Sequence, residues 1–243
     1  MGKFVVFEGI DGCGKSTALE ALYDYIWKKT SDSIRLGTEP TGFASGELVR
    51  KALGGNLEGI SSETLLGMFL ADRAIHQNEI SIATVRKDWY LCDRYIYSNM
   101  AYNAKDDDDM ERIEKLNSNF IKPDVVFYID TPVEICLDRI AKRTGKKEIF
   151  ENKEKLTEAK RRYDMIADSG KMVRIDGTQS EKDVLEDILK ALNLKSLDTW
   201  DGETSLKEVY FFKFCVILYM LTNKFLNKGK QNEKQCSNYW DVF

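Results

Sequence analysis

Short apolar runs alternate with longer segments of helical spacing along the first 192 residues of the chain. The apolar runs predict five strands, at residues 4–7, 33–37, 89–92, 125–130 and 172–175. The segments of period 3.6 predict helices at about 15–29, 44–53, 61–86, 131–142, 153–168 and 181–192. Strands separated by helices of this length form right-handed β-α-β units in a parallel sheet. We therefore predict an α/β fold of three layers, with a five-stranded parallel sheet flanked by helices.

The pattern changes after about residue 195. We predict one domain over residues 1–195 and a C-terminal extension without an assigned role over 196–243, in a chain of 243 residues. The extension contains a dense apolar run from Phe211 to Leu221, whose uncharged part has roughly half the length of a membrane-spanning helix. We expect this run to pack on the domain or on a second subunit, and residues 227–243 to lack order.

Composition excludes several classes of function. The formal net charge of −4 argues against a surface for nucleic acid, although a local cationic pocket remains compatible with it. His76 is the only histidine, so a histidine-based triad or a histidine-rich metal site is nearly excluded. The five cysteines are scattered and odd in number, which favours reduced thiols and a cytoplasmic location. The first apolar run is only as long as a strand, so we expect neither a signal peptide nor membrane association.

A glycine-rich loop joins the first predicted strand to the first predicted helix. It matches the phosphate-loop pattern G-x-x-x-x-G-K-[ST] and consists of Gly9, Ile10, Asp11, Gly12, Cys13, Gly14, Lys15, Ser16 and Thr17. Backbone N–H groups and the positive end of a helix surround phosphate oxygens in such a loop, so we predict that it binds ATP. The alternative is a tight turn that binds nothing. Cys13 is either a reactive thiol or a small filler residue, and we favour the filler.

The same region predicts a Mg²⁺ site. We expect Lys15 to reach the β- and γ-phosphates and the Ser16 hydroxyl to ligate the ion. Asp93 ends the third predicted strand, where phosphate-loop proteins place a second carboxylate on the Mg²⁺ side, in direct contact or through water. The predicted cofactors are therefore ATP and Mg²⁺, in a fold of the phosphate-loop kinase type.

Two charged segments allow more than one interpretation. Asp106 to Asp109 is a run of four acids, and we favour a solvated loop over a cation site because like charges repel. Arg143 to Lys147 is polar and cationic between two helical patterns. This segment predicts either a mobile lid at about 143–152, closing over the triphosphate, or a solvated helix connection.

Further segments carry a resemblance to a known family. They are Phe7 to Thr17, Glu39-Pro40, Phe69 to Arg73, Asp93 to Tyr102 and Pro123-Asp124. With them, the chain resembles the thymidylate kinase family from residue 3 to about residue 192. The pattern D-R-Y-x-x-S-x-x-A-Y at 93–102 is the family's own signature and is far more specific than the glycine loop.

The resemblance implies roles for residues on the acceptor side, which are Glu39, Arg50, Phe69, Arg73, Arg94, Asn99 and Tyr102. Arg94 is implied to grip the acceptor phosphate, with help from Arg50. Phe69 and Arg73 are one helical turn apart, which fits a ring stacked on the base and a guanidinium on a carbonyl at its edge. Asn99 and Tyr102 would flank sugar and base, where the tyrosine crowds out a ribose 2′-hydroxyl. Asp11 would reach the sugar 3′-hydroxyl or an acceptor-side arginine.

Two departures from the family pattern affect these expectations. Gly12 and Cys13 leave the glycine loop without the arginine that some relatives place there. Relatives that lack it supply the charge from the lid, which points to Arg143, with Lys146 and Lys147 in reserve. Thr38 stands where an arginine usually precedes Glu-Pro, so one acceptor-side contact is missing. Catalysis is thus assigned to Lys15, Asp11, Arg94 and Arg143, and the resemblance also implies a homodimer.

Three classes of function compete. A nucleoside monophosphate kinase would move the γ-phosphoryl group of ATP onto dTMP. A deoxynucleoside kinase would phosphorylate a hydroxyl, which requires a carboxylate base, whereas a phosphate acceptor requires cations. A nucleotide-binding module without activity is the third, but the guanine-reading pattern N-K-x-D does not occur in the sequence. Arg50, Arg73 and Arg94 favour the first class.

Overall fold

A parallel sheet of five strands forms the centre of the fold. The computed structural model describes residues 2–144 and 150–195. Its strands are β1 (Phe4–Glu8), β2 (Ile34–Thr38), β3 (Trp89–Asp93), β4 (Val125–Asp130) and β5 (Val173–Asp176). They lie in the order β2-β3-β1-β4-β5, and every neighbouring pair is parallel. The predicted sheet is confirmed, with each strand within about two residues of its predicted bounds.

Eight helices in the described part of the chain flank this sheet. They are α1 (Lys15–Lys29), α2 (Ala44–Leu53), α3 (Ser62–Arg86), α4 (Ile96–Asn103), α5 (Asp107–Leu116), α6 (Val133–Thr144), α7 (Phe150–Asp168) and α8 (Glu181–Ala191). Helices α1 and α8 pack against each other, while α4 packs against α3, α5 and α7. The six predicted helices are all present. The α/β prediction with a flanked parallel sheet is therefore confirmed.

Burial follows the position of each strand in the sheet. All five residues of β1 are buried, as are the central residues of β3 and β4, because helices cover both faces of an interior parallel strand. The edge strands β2 and β5 are only partly buried. Phe7 and Phe127, from neighbouring strands, lie with their ring centroids 5.6 Å apart and are fully buried in the apolar core. This rigid centre holds the loops at the ends of the strands.

Helices α4 and α5 are absent from the sequence prediction, and the loop predicted at Asp106–Asp109 is wrong. Asp106 is the N-cap of α5, since its carboxylate accepts a hydrogen bond of 2.8 Å from the N–H of Asp109. The other three acids form the first helical turn, where the helix dipole favours negative charge. Arg161 pairs with Asp107 at 2.5 Å, and this contact offsets part of the repulsion among the acids.

Two predicted features lie outside the described residues. Lys146 and Lys147, the reserve cations of the predicted lid, fall in the gap at 145–149. The C-terminal extension, with its apolar run at 211–221, falls entirely beyond residue 195. Over the described ranges, no helix combines the length and the apolar character required to cross a bilayer.

Removal of the α5 cap should weaken the domain. We expect Asp106→Ala to lower the free energy of unfolding by about 1 kcal/mol, because an N–H at the helix start loses its acceptor. Urea unfolding followed by circular dichroism measures this. Asp108→Ala is the matched control: it removes an exposed acid of the same turn without removing the cap, and should cost less. Equal losses for both variants would contradict the capping role.

Candidate active site

The loop between β1 and α1 has the backbone that a phosphate site requires. Gly12 and Gly14 have φ angles of +82° and +108°, which side chains rarely adopt. A Cβ on Gly12 would also lie 2.6 Å from the carbonyl oxygen of Cys136. Gly14 is the N-cap of α1 and contributes no side-chain hydrogen bond. The first N–H groups of α1 are therefore left for an anion.

Positive side chains surround this loop. The ammonium group of Lys15 donates to the carbonyl oxygen of Ile10 at 3.1 Å, and the side chain is largely buried. Arg139 was not predicted as a site residue; it donates to the carbonyl oxygens of Cys13 (3.0 Å) and Gly177 (3.1 Å). A single arginine in a helical segment carries no sequence signal that would predict these contacts. It ties the glycine loop to the segment that follows β5.

The cysteines near the loop serve as packing residues. Cys13 is fully buried, in agreement with the predicted filler role. Burial raises the pKa of the Cys136 thiol to about 12, so this thiol stays protonated at neutral pH. Gly9 and Ile10, at the start of the loop, are buried and do not line the cavity described next. A Cβ on Gly9 would lie 2.8 Å from the carbonyl oxygen of Ile129.

A cavity of about 410 Å³ opens over the loop. The predicted residues that line it are Asp11, Gly12, Cys13, Gly14, Lys15, Ser16, Thr17, Asp93, Arg94 and Arg143. Arg143 was predicted in a lid or a helix connection; it lies instead near the end of α6, one helical turn after Arg139, and lines this cavity. The cavity combines open N–H groups with four cationic side chains, which suits a polyphosphate.

Ser16 and Asp93 meet at the edge of this cavity. The Ser16 hydroxyl donates to Asp93 Oδ2 at 3.1 Å. The other carboxylate oxygen, Asp93 Oδ1, is buried and has no hydrogen-bond partner among the described residues. Hydroxyl and carboxylate oxygens are ligands that Mg²⁺ prefers, and an unpartnered buried oxygen is costly without a cation. The two side chains therefore fit the predicted ion.

A second cavity, of about 330 Å³, adjoins the first. Its walls include the predicted residues Asp11, Glu39, Phe69, Arg73, Arg94, Asn99 and Tyr102. Leu53 and Leu65 extend the apolar part of the wall. Asp11 and Arg94 line both cavities, so a group bound in one lies next to a group bound in the other. The size and mixed lining are those of a small-molecule site.

Arg94 stands at the junction of the two cavities. It follows β3 with a φ angle of +70°, an uncommon conformation for a residue with a side chain. Its guanidinium lies 5.1 Å from the centre of the Tyr102 ring and donates to Asp11 Oδ1 at 2.5 Å. Desolvation in the cleft acts to raise the pKa of Asp11, but Arg94, Lys15 and Arg143 outweigh it and lower the pKa below its ordinary value. Asp11 is therefore an ionised carboxylate among cations.

Arg73 lies in the wall of the second cavity and is almost completely buried. Its N–H groups donate to Glu39 Oε2, to the side-chain oxygens of Asn99 and Asn117, and to the carbonyl oxygen of Tyr95 (2.9 Å). These N–H groups already have acceptors within the protein. The contact with a base carbonyl that the resemblance implies therefore requires one N–H to be shared between two acceptors, as in a three-centre hydrogen bond. That role remains a prediction.

Two other residues were predicted on the acceptor side: Tyr102 lines the second cavity, whereas Arg50 does not. The Tyr102 hydroxyl accepts a hydrogen bond of 3.3 Å from the N–H of Asp11, and burial raises its pKa to about 12. Arg50 does not line either cavity. It donates to the carbonyl oxygens of Pro40 (2.7 Å) and Thr41 (2.6 Å) and so holds the loop between β2 and α2. Its predicted contact with the acceptor phosphate remains untested.

Glu8 and Tyr163 support Arg94 and were missed by sequence reasoning. Glu8 is fully buried at the end of β1 and accepts from the Tyr163 hydroxyl (2.8 Å) and the Ser98 hydroxyl (2.6 Å). Arg94 in turn donates to both hydroxyls, at 3.0 Å to Ser98 and 3.4 Å to Tyr163. An acid at the end of an otherwise apolar strand was the signal for Glu8. Tyr163, on α7, is remote in sequence and gave none.

A parallel sheet in this strand order, a glycine loop over an anion cavity and an adjoining mixed cavity define a phosphate-loop nucleoside monophosphate kinase. A family model described as thymidylate kinase matches residues 7–188. The chain therefore belongs to the thymidylate kinase family.

The names of individual relatives agree with this family membership. A probable thymidylate kinase of Methanococcus aeolicus is 40% identical over 67% of this chain and 78% of its own length. A thymidylate kinase of Leptospira interrogans is 37% identical over 79% of this chain and 96% of its own length. A thymidylate kinase of Plasmodium falciparum is 32% identical, covering 78% of this chain and 89% of the relative.

The support that Glu8 gives to Arg94 can be tested by an isosteric substitution. Glu8→Gln keeps an oxygen for the two backbone N–H groups but places an NH₂ group against the two hydroxyls and removes the buried negative charge near Arg94, so we expect a loss of about 3 kcal/mol in the free energy of unfolding. Glu58→Gln makes the same chemical change at an exposed position and should have almost no effect. Chemical denaturation measures both, and an unchanged Glu8→Gln variant would refute the buried acceptor role.

Proposed function

We propose that the chain transfers the γ-phosphoryl group of ATP to dTMP, forming ADP and dTDP for the synthesis of dTTP. One observation carries the proposal: the anion cavity over the glycine loop and the mixed cavity beside it share Asp11 and Arg94 as walls. A phosphoryl donor in the first and a phosphate acceptor in the second are thus brought into contact. The relatives that bear the name thymidylate kinase support dTMP as the acceptor.

The donor side binds the triphosphate of ATP. The open N–H groups at the start of α1 and the ammonium group of Lys15 would hold the β- and γ-phosphates. Mg²⁺ would be held by Ser16 and Asp93, and when bound it neutralises phosphate charge and orients the triphosphate. In a nucleoside monophosphate kinase, cationic groups must also stabilise the negative charge that spreads over the transferring phosphoryl group.

The acceptor side orients a pyrimidine nucleotide. Phe69 contributes an aromatic ring to the cavity wall, and Asn99 and Arg73 contribute buried polar groups. Arg94 at the cavity junction would bind the acceptor phosphate, exchanging part of its contact with Asp11 for the ligand. Asp11, once released, would be free to accept from a sugar hydroxyl or to hold Arg94 in position.

The environment of the carboxylates disfavours a deoxynucleoside kinase. Such an enzyme requires a carboxylate base beside the acceptor hydroxyl. Asp11 has a lowered pKa and pairs with Arg94, which makes it a weak base. Glu39, the other acid of the acceptor cavity, is held by Arg73 and His76. Cations, rather than a free base, lie where the acceptor would bind.

We assign this chemistry to residues 1–195, in the cytoplasm, and no catalytic step to the extension at 196–243. We also propose a homodimer. Helix α3 exposes the apolar side chains of Ile75, Ile82 and Val85 on one face, and such stripes mark protein contacts. The family resemblance supports a second copy of the chain as the partner of this face.

The substrate assignment is tested by measuring ADP release with dTMP, dUMP, UMP, dCMP and thymidine as acceptors. We expect dTMP to be preferred strongly over thymidine and over UMP, because the acceptor side combines cations with a cavity of mixed polar and apolar lining, whose wall includes Tyr102. Folded Lys15→Ala protein is the control and should lose transfer with every acceptor. A preference for thymidine would replace the proposal with the deoxynucleoside kinase.

Arg143 should act mainly on the rate of phosphoryl transfer. We expect Arg143→Ala to lower kcat by roughly tenfold or more while the KM for dTMP changes little, since an arginine that meets transition-state charge acts on kcat. Lys142→Ala removes the neighbouring exposed cation, which does not line the cavity, and should keep its kcat. Steady-state kinetics of both variants give kcat and the KM for dTMP and so test this role. Wild-type kcat in Arg143→Ala would remove Arg143 from the catalytic residues.

A charged substitution on the exposed apolar face of α3 tests whether this face forms the dimer contact. Ile82→Glu places a carboxylate in the exposed stripe of α3 and should shift the solution mass from dimer to monomer, because burial of an unpaired charge is costly. Thr84→Glu, on another face of the same helix, is the control. Light scattering after gel filtration gives the mass, and a dimeric Ile82→Glu protein would place the contact elsewhere.

A further inference from the structure

Helix α4 supplies two residues of the acceptor cavity, Asn99 and Tyr102, but lacks the means to complete its own C-terminal end. The last carbonyl groups of a helix have no partner within it, and a helix as short as α4 is marginal by itself. The last turn of α4 carries no basic residue, and its C-cap, Ala104, is extended rather than left-handed. The end of α4 must therefore be held from outside.

Arg162, on α7, holds this end. Its guanidinium donates from Nη1 to the carbonyl oxygens of Ala101 (3.2 Å) and Ala104 (2.6 Å), and from Nη2 to that of Lys105 (3.4 Å). The C-terminal end of a helix is negative, so a cation there is favourable. The planar fork of N–H groups also suits several acceptors at once. One side chain thus covers three carbonyl groups at and just beyond the end of α4.

The side chain of Arg162 is buried in this position. It is only 6% exposed, and a charge that is removed from water needs partners. Glu158, one helical turn earlier on α7, supplies a counter-charge, with its Oε1 3.1 Å from the Nε of Arg162. The hydrogen bonds of the guanidinium described above all go to carbonyl groups outside α7. Arg162 therefore serves a neighbouring helix more than its own.

Different groups hold the two ends of α4. At its start, the buried carboxylate of Glu8 accepts from two backbone N–H groups, and Arg73 donates to the Asn99 side chain. Tyr102 lies in the last turn, directly after the first carbonyl group that Arg162 binds. Loss of Arg162 should therefore loosen the turn that carries Tyr102 and leave Asn99 in place.

Movement of the last turn would reach the cavity through Tyr102. The Tyr102 hydroxyl accepts from the N–H of Asp11 at 3.3 Å, and its ring centre lies 5.1 Å from the guanidinium of Arg94. Arg94 has further contacts of its own, with the hydroxyls of Ser98 and Tyr163. A displaced Tyr102 should therefore weaken binding of the acceptor more than it slows the transfer step.

We propose that Arg162 is a positioning residue of the acceptor cavity, a C-terminal cap of α4 supplied from α7. Arg162 lines neither cavity and acts through α4 on Tyr102. The proposal rests on the proposed function in that the cavity beside Tyr102 binds the acceptor nucleotide.

The cap can be tested without nucleotide by amide hydrogen exchange of the full-length protein. Arg162→Met keeps most of the side-chain length and removes its charge and donors. We expect the peptide that covers α4 to exchange about tenfold faster, while peptides of α1 stay as in wild type. Arg161→Met is the matched control, because the neighbouring arginine is exposed and pairs with Asp107 and Glu158 rather than with α4. Wild-type exchange of α4 in Arg162→Met would overturn the proposal.

Arg162→Lys covers the case in which Arg162→Met does not fold. The lysine keeps the charge but reaches fewer carbonyl groups, so we expect exchange in α4 to rise about threefold. Exchange equal to that of wild type in this variant would also overturn the proposal.

Kinetics test the positioning role. We expect the KM for dTMP to rise about fivefold in Arg162→Met, while kcat and the KM for ATP stay within about twofold of wild type. Arg162→Lys should restore part of the affinity for dTMP, and Arg161→Met should behave as wild type.

Two kinetic results would contradict the positioning role. One is a folded Arg162→Met protein with an unchanged KM for dTMP, and the other is an equal loss in kcat and in both KM values. Failure of the proposed function has a different signature, since the wild-type protein would then not phosphorylate dTMP at all. The exchange measured in α4 would stand in that case.

Discussion

All five strands run in the same direction, and the site depends on this constraint. The carboxyl ends of parallel strands meet at one edge of a sheet, where ligands of open α/β folds bind. β1 leads into the glycine loop, β2 into Glu39, and β3 into Asp93 and Arg94. Thr131 follows β4 and donates to the carbonyl oxygen of Cys13 at 2.9 Å. Gly177 follows β5 and accepts from Arg139. Residues from every strand thus converge on two cavities.

The two cavities differ in how their cations are held. On the donor side, the Lys15 ammonium and the Arg139 guanidinium donate to backbone carbonyl oxygens, and among the described residues neither forms an ion pair with a carboxylate, so their charge is available to phosphate. On the acceptor side, Arg73 pairs with Glu39 inside the protein, and Arg94 pairs with Asp11 at the cavity surface. Arg73 is therefore suited to fixed hydrogen bonding, whereas Arg94 can exchange its partner for a ligand. Such fixed charges stabilise a transferring phosphoryl group without reorganisation.

Buried carboxylates hold the loops at the strand ends in place. Glu8 accepts from backbone N–H groups at the start of α4 and from hydroxyls that reach Arg94. Asp72 accepts from the N–H of Thr41 (2.7 Å), from its hydroxyl (2.5 Å) and from the Ser45 hydroxyl (2.6 Å). Each carboxylate thus converts a short loop into a rigid wall of the acceptor cavity. Charge buried with several donors gives this rigidity, because any movement would leave donors unsatisfied.

The sequence by itself determined the elements whose signals are local. Periodicity placed five strands and six helices, the glycine loop predicted the phosphate site between β1 and α1, and the segment from Asp93 to Tyr102 indicated the family. Local signals were insufficient for α4, which is short and buried, and for α5, whose first-turn acids looked like a solvated loop until the N-cap was visible.

Only the tertiary structure revealed which side chains support the site. Tyr163 lies 155 residues from Glu8 in the chain, and Arg139 lies 126 residues from Cys13. The same holds for His76, which contacts Glu39 from a loop and Tyr90 from a strand. Sequence spacing encodes neighbours within one helix or strand. Contacts between elements are set by packing of the whole core, which is why these partners appear only in the folded molecule.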